Sequence, residues 1–188
     1  MKQQVDKKVI GFDMDGVLLD HTEAKLLLAR RFKLQIKRAE TPSDIIKPLI
    51  PQSIYSRFQF NLNDDPQFRH LSLLMPGAKE VLEKIVRSGV PYFLVSRRKK
   101  PLIAIKILKY HGLWPKYFNK TNSFFVSTPE DKNIKAAELG ITHYFDDQQT
   151  VLDKLVDVKS KFLFDYLNSF KNSGYARVRS WKEVARLI

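Results

Sequence analysis

Residues 9–20 read Val-Ile-Gly-Phe-Asp-Met-Asp-Gly-Val-Leu-Leu-Asp, and the interpretation of the whole chain turns on this stretch. Val9, Ile10 and Phe12 form a short apolar run with a glycine inside it. Such a run suits a buried parallel strand better than an alternating surface strand. Asp13 and Asp15 stand at its end, with Gly16 directly after. Aspartate disfavours strands, and carboxylates at i and i+2 repel unless a positive charge lies between them. A hard cation such as Mg2+ would offset that repulsion. The competing interpretation is an Asp-Gly turn closing a hairpin. The rest of the chain decides between the two.

From Met75 onward, helices and strands alternate. Pro76–Arg87 has the spacing of an amphipathic helix, ended by Ser88-Gly89. Val90–Val95 is predicted as a strand, with Ser96 at its end. Pro101–His111 follows as a helix and Ser123–Val126 as a strand. Thr128-Pro129-Glu130-Asp131 is a strong helix start. Tyr144-Phe145 is a very short strand closing on Asp146-Asp147. Thr150–Val156 reads as helix, Lys161–Phe164 as strand, Tyr175–Val178 as an edge strand, and Ser180–Glu183 as a capping box opening the last helix. Between the first motif and this region, about Asp20 to Leu74 holds no convincing strand. It contains a helix over His21–Ile36, a short one at Ile45–Leu49 begun by Thr41-Pro42-Ser43-Asp44, and another around Ile54–Phe60.

Strands alternating with helices imply a parallel sheet covered on both faces. Ligands then bind beyond the carboxyl ends of the strands. Ser96, Lys132 and the pair Asp146-Asp147 all fall at strand ends or helix starts. A hairpin at Asp15-Gly16 is thereby disfavoured, because the next strand arrives only after a long helical insertion.

Asp13-x-Asp15, then Ser96, Lys132 and Asp146-Asp147, resembles the four motifs of the haloacid dehalogenase superfamily, in order, from about Val9 to Leu167. The resemblance implies an α/β, Rossmann-like three-layer sandwich around a mainly parallel sheet. The catalytic core would comprise residues 1–20 and 75–188, and residues 21–74 a small helical cap. It implies a Mg2+-dependent phosphatase in which Asp13 is the nucleophile and Asp15 the general acid and base. An acid at this second position marks phosphatases rather than dehalogenases. Ser96, Arg97 and Lys132 would bind the substrate phosphate. The metal would be held by the Asp13 carboxylate, the Asp15 backbone carbonyl and Asp146. Asp147 would be a further ligand or would orient a metal-bound water. Lys135, one turn from Lys132, is the rival lysine. The ending Tyr175–Val184 loosely resembles that of bacterial 5′-nucleotidase-like members of the superfamily.

Composition bounds the rest. The 188 residues are 44% hydrophobic and 12% aromatic, enough for a real core. The absence of cysteine excludes disulfides and thiolate metal sites and suits a reducing cytosol. MKQQVDKK has no apolar signal region and no apolar run is long enough to span a bilayer. A cytoplasmic, non-membrane protein is therefore expected. The formal charge of +13 favours anionic partners. Eight basic and no acidic residues lie between Arg97 and Lys120, a solvated helix face or a guide for a polyanion. Arg30, Arg31, Lys33, Arg57 and Arg69 are the cations available in the insertion. A small phosphorylated metabolite, such as a nucleotide, is the expected substrate. The alternative is a basic protein that binds nucleic acid or processes its ends on the same fold.

Overall fold

In a computed structural model, which describes residues 8–188, the run after Val9 becomes strand β1 (Ile10–Phe12), buried at every residue. A chain buried on both faces has no polar side to show, which is why the run is continuous rather than alternating. Gly11 is required inside it, since a Cβ there would lie 2.4 Å from the ring of Tyr144. After the Asp13–Leu18 turn come β2 (Leu19–Asp20) and helices α1 (Thr22–Arg31), α2 (Ser43–Ile46) and α3 (Gln52–Asn63). The chain returns through β3 (Leu73–Leu74) to α4 (Ala78–Ser88), β4 (Tyr92–Arg97), α5 (Pro101–Tyr110) and β5 (Ser123–Val126). It ends with α6 (Pro129–Glu138), β6 (His143–Asp146), α7 (Gln149–Leu152), β7 (Ser160–Phe164), β8 (Ala176–Val178) and α8 (Trp181–Leu187).

Six strands form one sheet in the order β5-β4-β1-β6-β7-β8, every neighbouring pair parallel. β1 lies at its centre, with Phe12 opposite Leu94 on one side and Phe145 on the other. One face is covered by α4, α5 and α8, through Leu82, Leu108 and Trp181 among others. The opposite face is covered by α6 and α7, through Ala136 and Leu152 packed with Tyr144 and Leu163. This is the expected three-layer α/β sandwich. Trp181 is fully buried, its ring lies tilted with centroid 5.0 Å from that of Phe12, and it donates its indole N–H to the Val17 carbonyl at 2.8 Å. The last helix is thus bolted beneath the first motif.

The residues between β2 and β3 bury a cluster of their own, including Leu28, Ile50, Phe58 and Phe68. No helix among the described residues is long and apolar enough to cross a membrane.

Several local expectations need correction. The stretch from Asp20 to Leu74 does contain strand, a two-residue antiparallel ladder pairing Leu19 with Leu74 and Asp20 with Leu73. Two residues are too few to carry a period. Thr41 does not cap α2: its hydroxyl donates to the Arg38 carbonyl, and Asp44 turns outward to Thr150. The helix expected over Thr150–Val156 ends at Leu152. Ser180 caps α8, but Glu183 reaches the Arg179 N–H rather than its own cap residue. The strand expected to stop at Val95 runs to Arg97, so Ser96 lies inside β4.

Candidate active site

Asp13 continues β1 past its last paired residue, its N–H donating to the Phe145 carbonyl at 3.0 Å. The chain then turns sharply. Gly16 has φ of +80°, and a Cβ on it would lie 2.3 Å from Asp147 Cγ, so only glycine lets the two motif loops meet. Asp146 closes the adjacent β6, which brings Asp13, Asp146 and Asp147 together with one carboxylate oxygen of each within 4.8 Å of the others. All three side chains are buried.

Lys132 reaches this cluster from the first turn of α6. Thr128 and Asp131 build a complete capping box, each backbone N–H bonded at 3.0 Å to the other's side chain. That cap aims the following residue inward. Lys132 is 1% exposed and donates at 2.8 Å to both Asp13 Oδ1 and Asp146 Oδ2. Burial lowers its pKa, but Asp13 and Asp146 outweigh burial and hold the ammonium well above its ordinary range. Lys135 instead pairs with Glu138 at the surface.

The carboxylates titrate apart. Burial, with Asp13 adding to it and Lys132 opposing, raises Asp146 to about 6. Burial and the neighbouring Asp146, opposed by Lys25, raise Asp147 to about 8. Asp15 moves the other way. Burial would raise it, but Arg98 and His21 hold it well below the carboxylate range.

Four buried side-chain oxygens have no partner among the described residues: Asp147 Oδ1 in this cluster, and the hydroxyls of Ser96, Ser123 and Ser169. A buried polar group left unpaired costs free energy, and on Asp147 the orphaned oxygen stands beside two further carboxylates, where a cation would satisfy it. Three hard oxygen donors around one lysine, with an orphaned oxygen on Asp147, fit a hard divalent cation.

The structure brings Asp13, Asp146, Asp147 and Lys132 into direct contact or close proximity, with Asp15 beside them, and buries Ser96 inside β4, one residue before its end, in the strand that pairs with β1. It does not bring Arg97 there, for that guanidinium donates to Gln148 at 2.8 Å. Arg98 is the buried arginine instead, forked onto Asp15 through Nε at 2.7 Å and Nη2 at 2.5 Å. The signal for it is the strand period carried one residue past the end of β4: alternation puts Arg97 on the side opposite Ser96, and the next residue, Arg98, is buried as Ser96 is. His21 and Lys25 also went unrecognised. They lie at i and i+4, on one face of α1 and its entry. His21 contacts Asp15 at 2.6 Å. Buried Lys25 donates to the Thr41 carbonyl and to Ser43 Oγ, which donates in turn to Asp147 at 3.1 Å. Of the insertion cations named from sequence, Arg30, Arg31, Lys33 and Arg57 are exposed, and the side chain of Arg69 lies outside the described residues. Arg31 and Arg57 lie over the rings of Phe68 and Phe32.

Solved structures share this architecture at low identity. A predicted phosphatase from Clostridium acetobutylicum superposes with TM-score 0.68 at 16% identity, covering 96% of this chain and 97% of that one. A haloacid dehalogenase family hydrolase from Deinococcus radiodurans, solved with bound phosphate and sodium, gives 0.64 at 16%, covering 96% and 94%. A subfamily IA hydrolase of the superfamily from Geobacter sulfurreducens gives 0.64 at 15%, covering 96% and 99%. No curated protein matches the sequence. These likenesses define the fold as that of the haloacid dehalogenase superfamily. Over residues 7–188 the sequence matches the family described as 5′ nucleotidase, deoxy (pyrimidine), cytosolic type C protein, and the chain belongs to that family. It is accordingly a phosphatase of the superfamily.

Proposed function

We propose that the protein is a Mg2+-dependent phosphomonoesterase that cleaves a small phosphorylated metabolite, a nucleoside 5′-monophosphate, through an aspartyl-phosphate on Asp13. The observation that carries this is the buried cluster of Asp13, Asp146 and Asp147, with Lys132 bonded to the first two and Asp147 Oδ1 left without a partner among the described residues. Ser96 is suited to donate to a phosphoryl oxygen and Asp147 to a cation.

Asp13 is poised as nucleophile, with Oδ1 on Lys132 and Oδ2 accepting the Asp15 N–H at 3.1 Å. Its carboxylate oxygen forms the bond to phosphorus as the bond to the leaving oxygen breaks, and the leaving oxygen takes a proton through Asp15, which must first be released from its pairing with Arg98 and His21 and take up that proton from solvent. A water then attacks the aspartyl-phosphate, Asp15 takes its proton, and phosphate departs with Asp13 restored. Lys132 neutralises both the nucleophile and the transferring group. Asp13, Asp146, Asp147 and the Asp15 backbone carbonyl would hold Mg2+, which when bound supplies Lewis-acid stabilisation of charge on the phosphoryl oxygens. Residues 21–74 are read as the cap that excludes water and selects substrate, over a core of residues 1–20 and 75–188. A cytoplasmic location agrees with the family's description as cytosolic.

Turnover of p-nitrophenyl phosphate and of nucleoside 5′-monophosphates with Mg2+, abolished in Asp13→Asn, tests the reading. No turnover on a broad panel of phosphate monoesters, together with salt-sensitive binding of DNA or RNA, would overturn it in favour of a nucleic-acid-binding protein.

A further inference from the structure

We propose that Ser43, aimed by Lys25, is a positioning residue of the cation site. It engages one oxygen of Asp147, leaves the other to the ion, and so favours Mg2+ over the larger Ca2+. The inference rests on the reading of Asp13, Asp146 and Asp147 as metal ligands, and it makes the inserted segment a party to metal selection.

Of the carboxylate oxygens in the cluster, all but Asp147 Oδ1 already accept a hydrogen from the protein. Asp13 Oδ1 and Asp146 Oδ2 accept from Lys132, Asp13 Oδ2 from the Asp15 N–H, and Asp146 Oδ1 from the Gln148 N–H at 3.0 Å. Those donors belong to the motif loops and to α6. The donor to Asp147 Oδ2 does not. It is Ser43 Oγ, at 3.1 Å, from the first residue of α2 in the segment between β2 and β3.

The direction of this bond is determined by a neighbour. Lys25 Nζ lies 3.2 Å from Ser43 Oγ, and an ammonium only donates. The hydroxyl therefore accepts from Lys25, and its own hydrogen is left for Asp147. Lys25 is 8% exposed and is fixed in turn by donating to the Thr41 carbonyl at 2.8 Å. The residues after Ser43 clasp the core. Asp44 accepts the Thr150 N–H at 3.1 Å and the Thr150 hydroxyl at 2.6 Å, and Ile45 packs against the cluster that holds Ala136 and Leu152.

Asp147 has little freedom to respond in another way. A Cβ on Gly16 would lie 2.3 Å from its Cγ and 2.4 Å from Oδ2, so the carboxylate is wedged between the Gly16 backbone and Ser43. Oδ1 is the oxygen it has to offer. Mg2+ demands a tight octahedron and suits single-oxygen ligands. Ca2+ has a larger, looser shell and readily takes both oxygens of one carboxylate.

Calorimetric titration of metal-stripped protein with MgCl2 and with CaCl2 tests this. Ser43→Ala should weaken Mg2+ binding by about tenfold, the lower end of what an outer partner of a metal ligand contributes. It should weaken Ca2+ binding less, because the freed Oδ2 then joins Oδ1 on the larger ion. The ratio of the two Kd values thus shifts toward Ca2+. Ser43→Thr, which keeps the hydroxyl, should restore the wild-type ratio. Lys25→Met should shift the ratio in the same direction as Ser43→Ala. The double variant should go no further than Ser43→Ala, since both residues act through one bond. Thermal melts without metal check folding. Should Ser43→Ala not fold, Asp44→Ala, which frees α2 from Thr150 and leaves the three carboxylates untouched, must shift the ratio in weaker form.

Equal losses for the two ions in Ser43→Ala, or none, alongside a clear loss of Mg2+ binding in Asp147→Asn would overturn this inference alone. Mg2+ binding that survived Asp147→Asn unchanged, or a wild-type protein that bound no Mg2+, would overturn the ligand assignment on which it rests.

Discussion

The site has two acidic regions built on opposite principles. On one, Asp13 and Asp146 share the ammonium of Lys132, Asp147 lies beside them, and one Asp147 oxygen has no partner among the described residues. On the other, Asp15 alone faces a guanidinium and an imidazole, with both of its oxygens satisfied. The titration of the groups follows the imbalance: Asp146 and Asp147 rise to about 6 and about 8, while Asp15 is held down. One residue type serves two purposes because its surroundings differ. The first region is short of positive charge and is completed by what binds to it. The second is complete already, and serves to hold one carboxyl still.

Removing Lys132 should break the first region most severely. Lys132→Met leaves three buried carboxylates with no direct cation, and loss of one partner from a buried ion pair costs about 3–5 kcal/mol. Turnover should fall by about 10³-fold or more, since the same side chain holds the nucleophile and balances the transferring group. Urea unfolding of the metal-free variant against wild type checks the first figure, and kcat on p-nitrophenyl phosphate the second. Preserved stability would mean the cluster is not under-compensated as described.

Added Mg2+ should have the next largest effect, and its pH dependence separates the two regions. Asp146 and Asp147 have folded pKa values above those of the unfolded chain, so in metal-free protein the fold binds more protons than the unfolded state. Their contribution to stability is present at low pH and is lost as pH rises through about 6 and about 8. Bound Mg2+ would relieve that loss by replacing the protons. The rise in Tm on adding Mg2+ should accordingly be larger near pH 8 than near pH 6, and at a concentration a hundred times Kd it corresponds to about 2.7 kcal/mol. Asp15, with its pKa depressed, has the opposite sign: its contribution is full above the ordinary carboxylate range and is lost only in acid. A Mg2+ effect that shrank toward high pH would contradict the assignment of the two regions.

The first region was legible in the sequence and the second was not, for a physical reason. Asp13, Ser96, Lys132 and Asp146-Asp147 sit at strand ends or in a capped first turn, and strands and caps announce themselves locally through apolar runs and Thr128-Pro129. Their convergence then follows from a parallel sheet. His21, Lys25 and Ser43 reach the site only through the packing of the inserted helices, whose order in sequence says nothing of which side chains face the core. Arg98 is the intermediate case. It was visible within the basic run, but placing the strand end at Val95 hid the alternation that distinguishes it from Arg97. The two-residue ladder of β2 and β3 was likewise too short to leave a pattern.

The same structure reduces the weight of the basic run between Arg97 and Lys120, and this sets the smallest expected effect. Arg97 is engaged by Gln148, Arg98 by Asp15, Lys100 by Asp64 and Lys116 by Glu83. Lys106 and Lys109 remain on the exposed side of α5 with no ion pair among the described residues. Their field is that of a solvated helix face, screened beyond about 8 Å at physiological salt. Replacing both by Gln should change kcat/KM for a nucleoside monophosphate by less than about twofold, at low and moderate ionic strength alike. A larger loss that grew as salt was lowered would show that charge outside both regions guides the substrate in, and would revive the polyanion that the engaged arginines argue against.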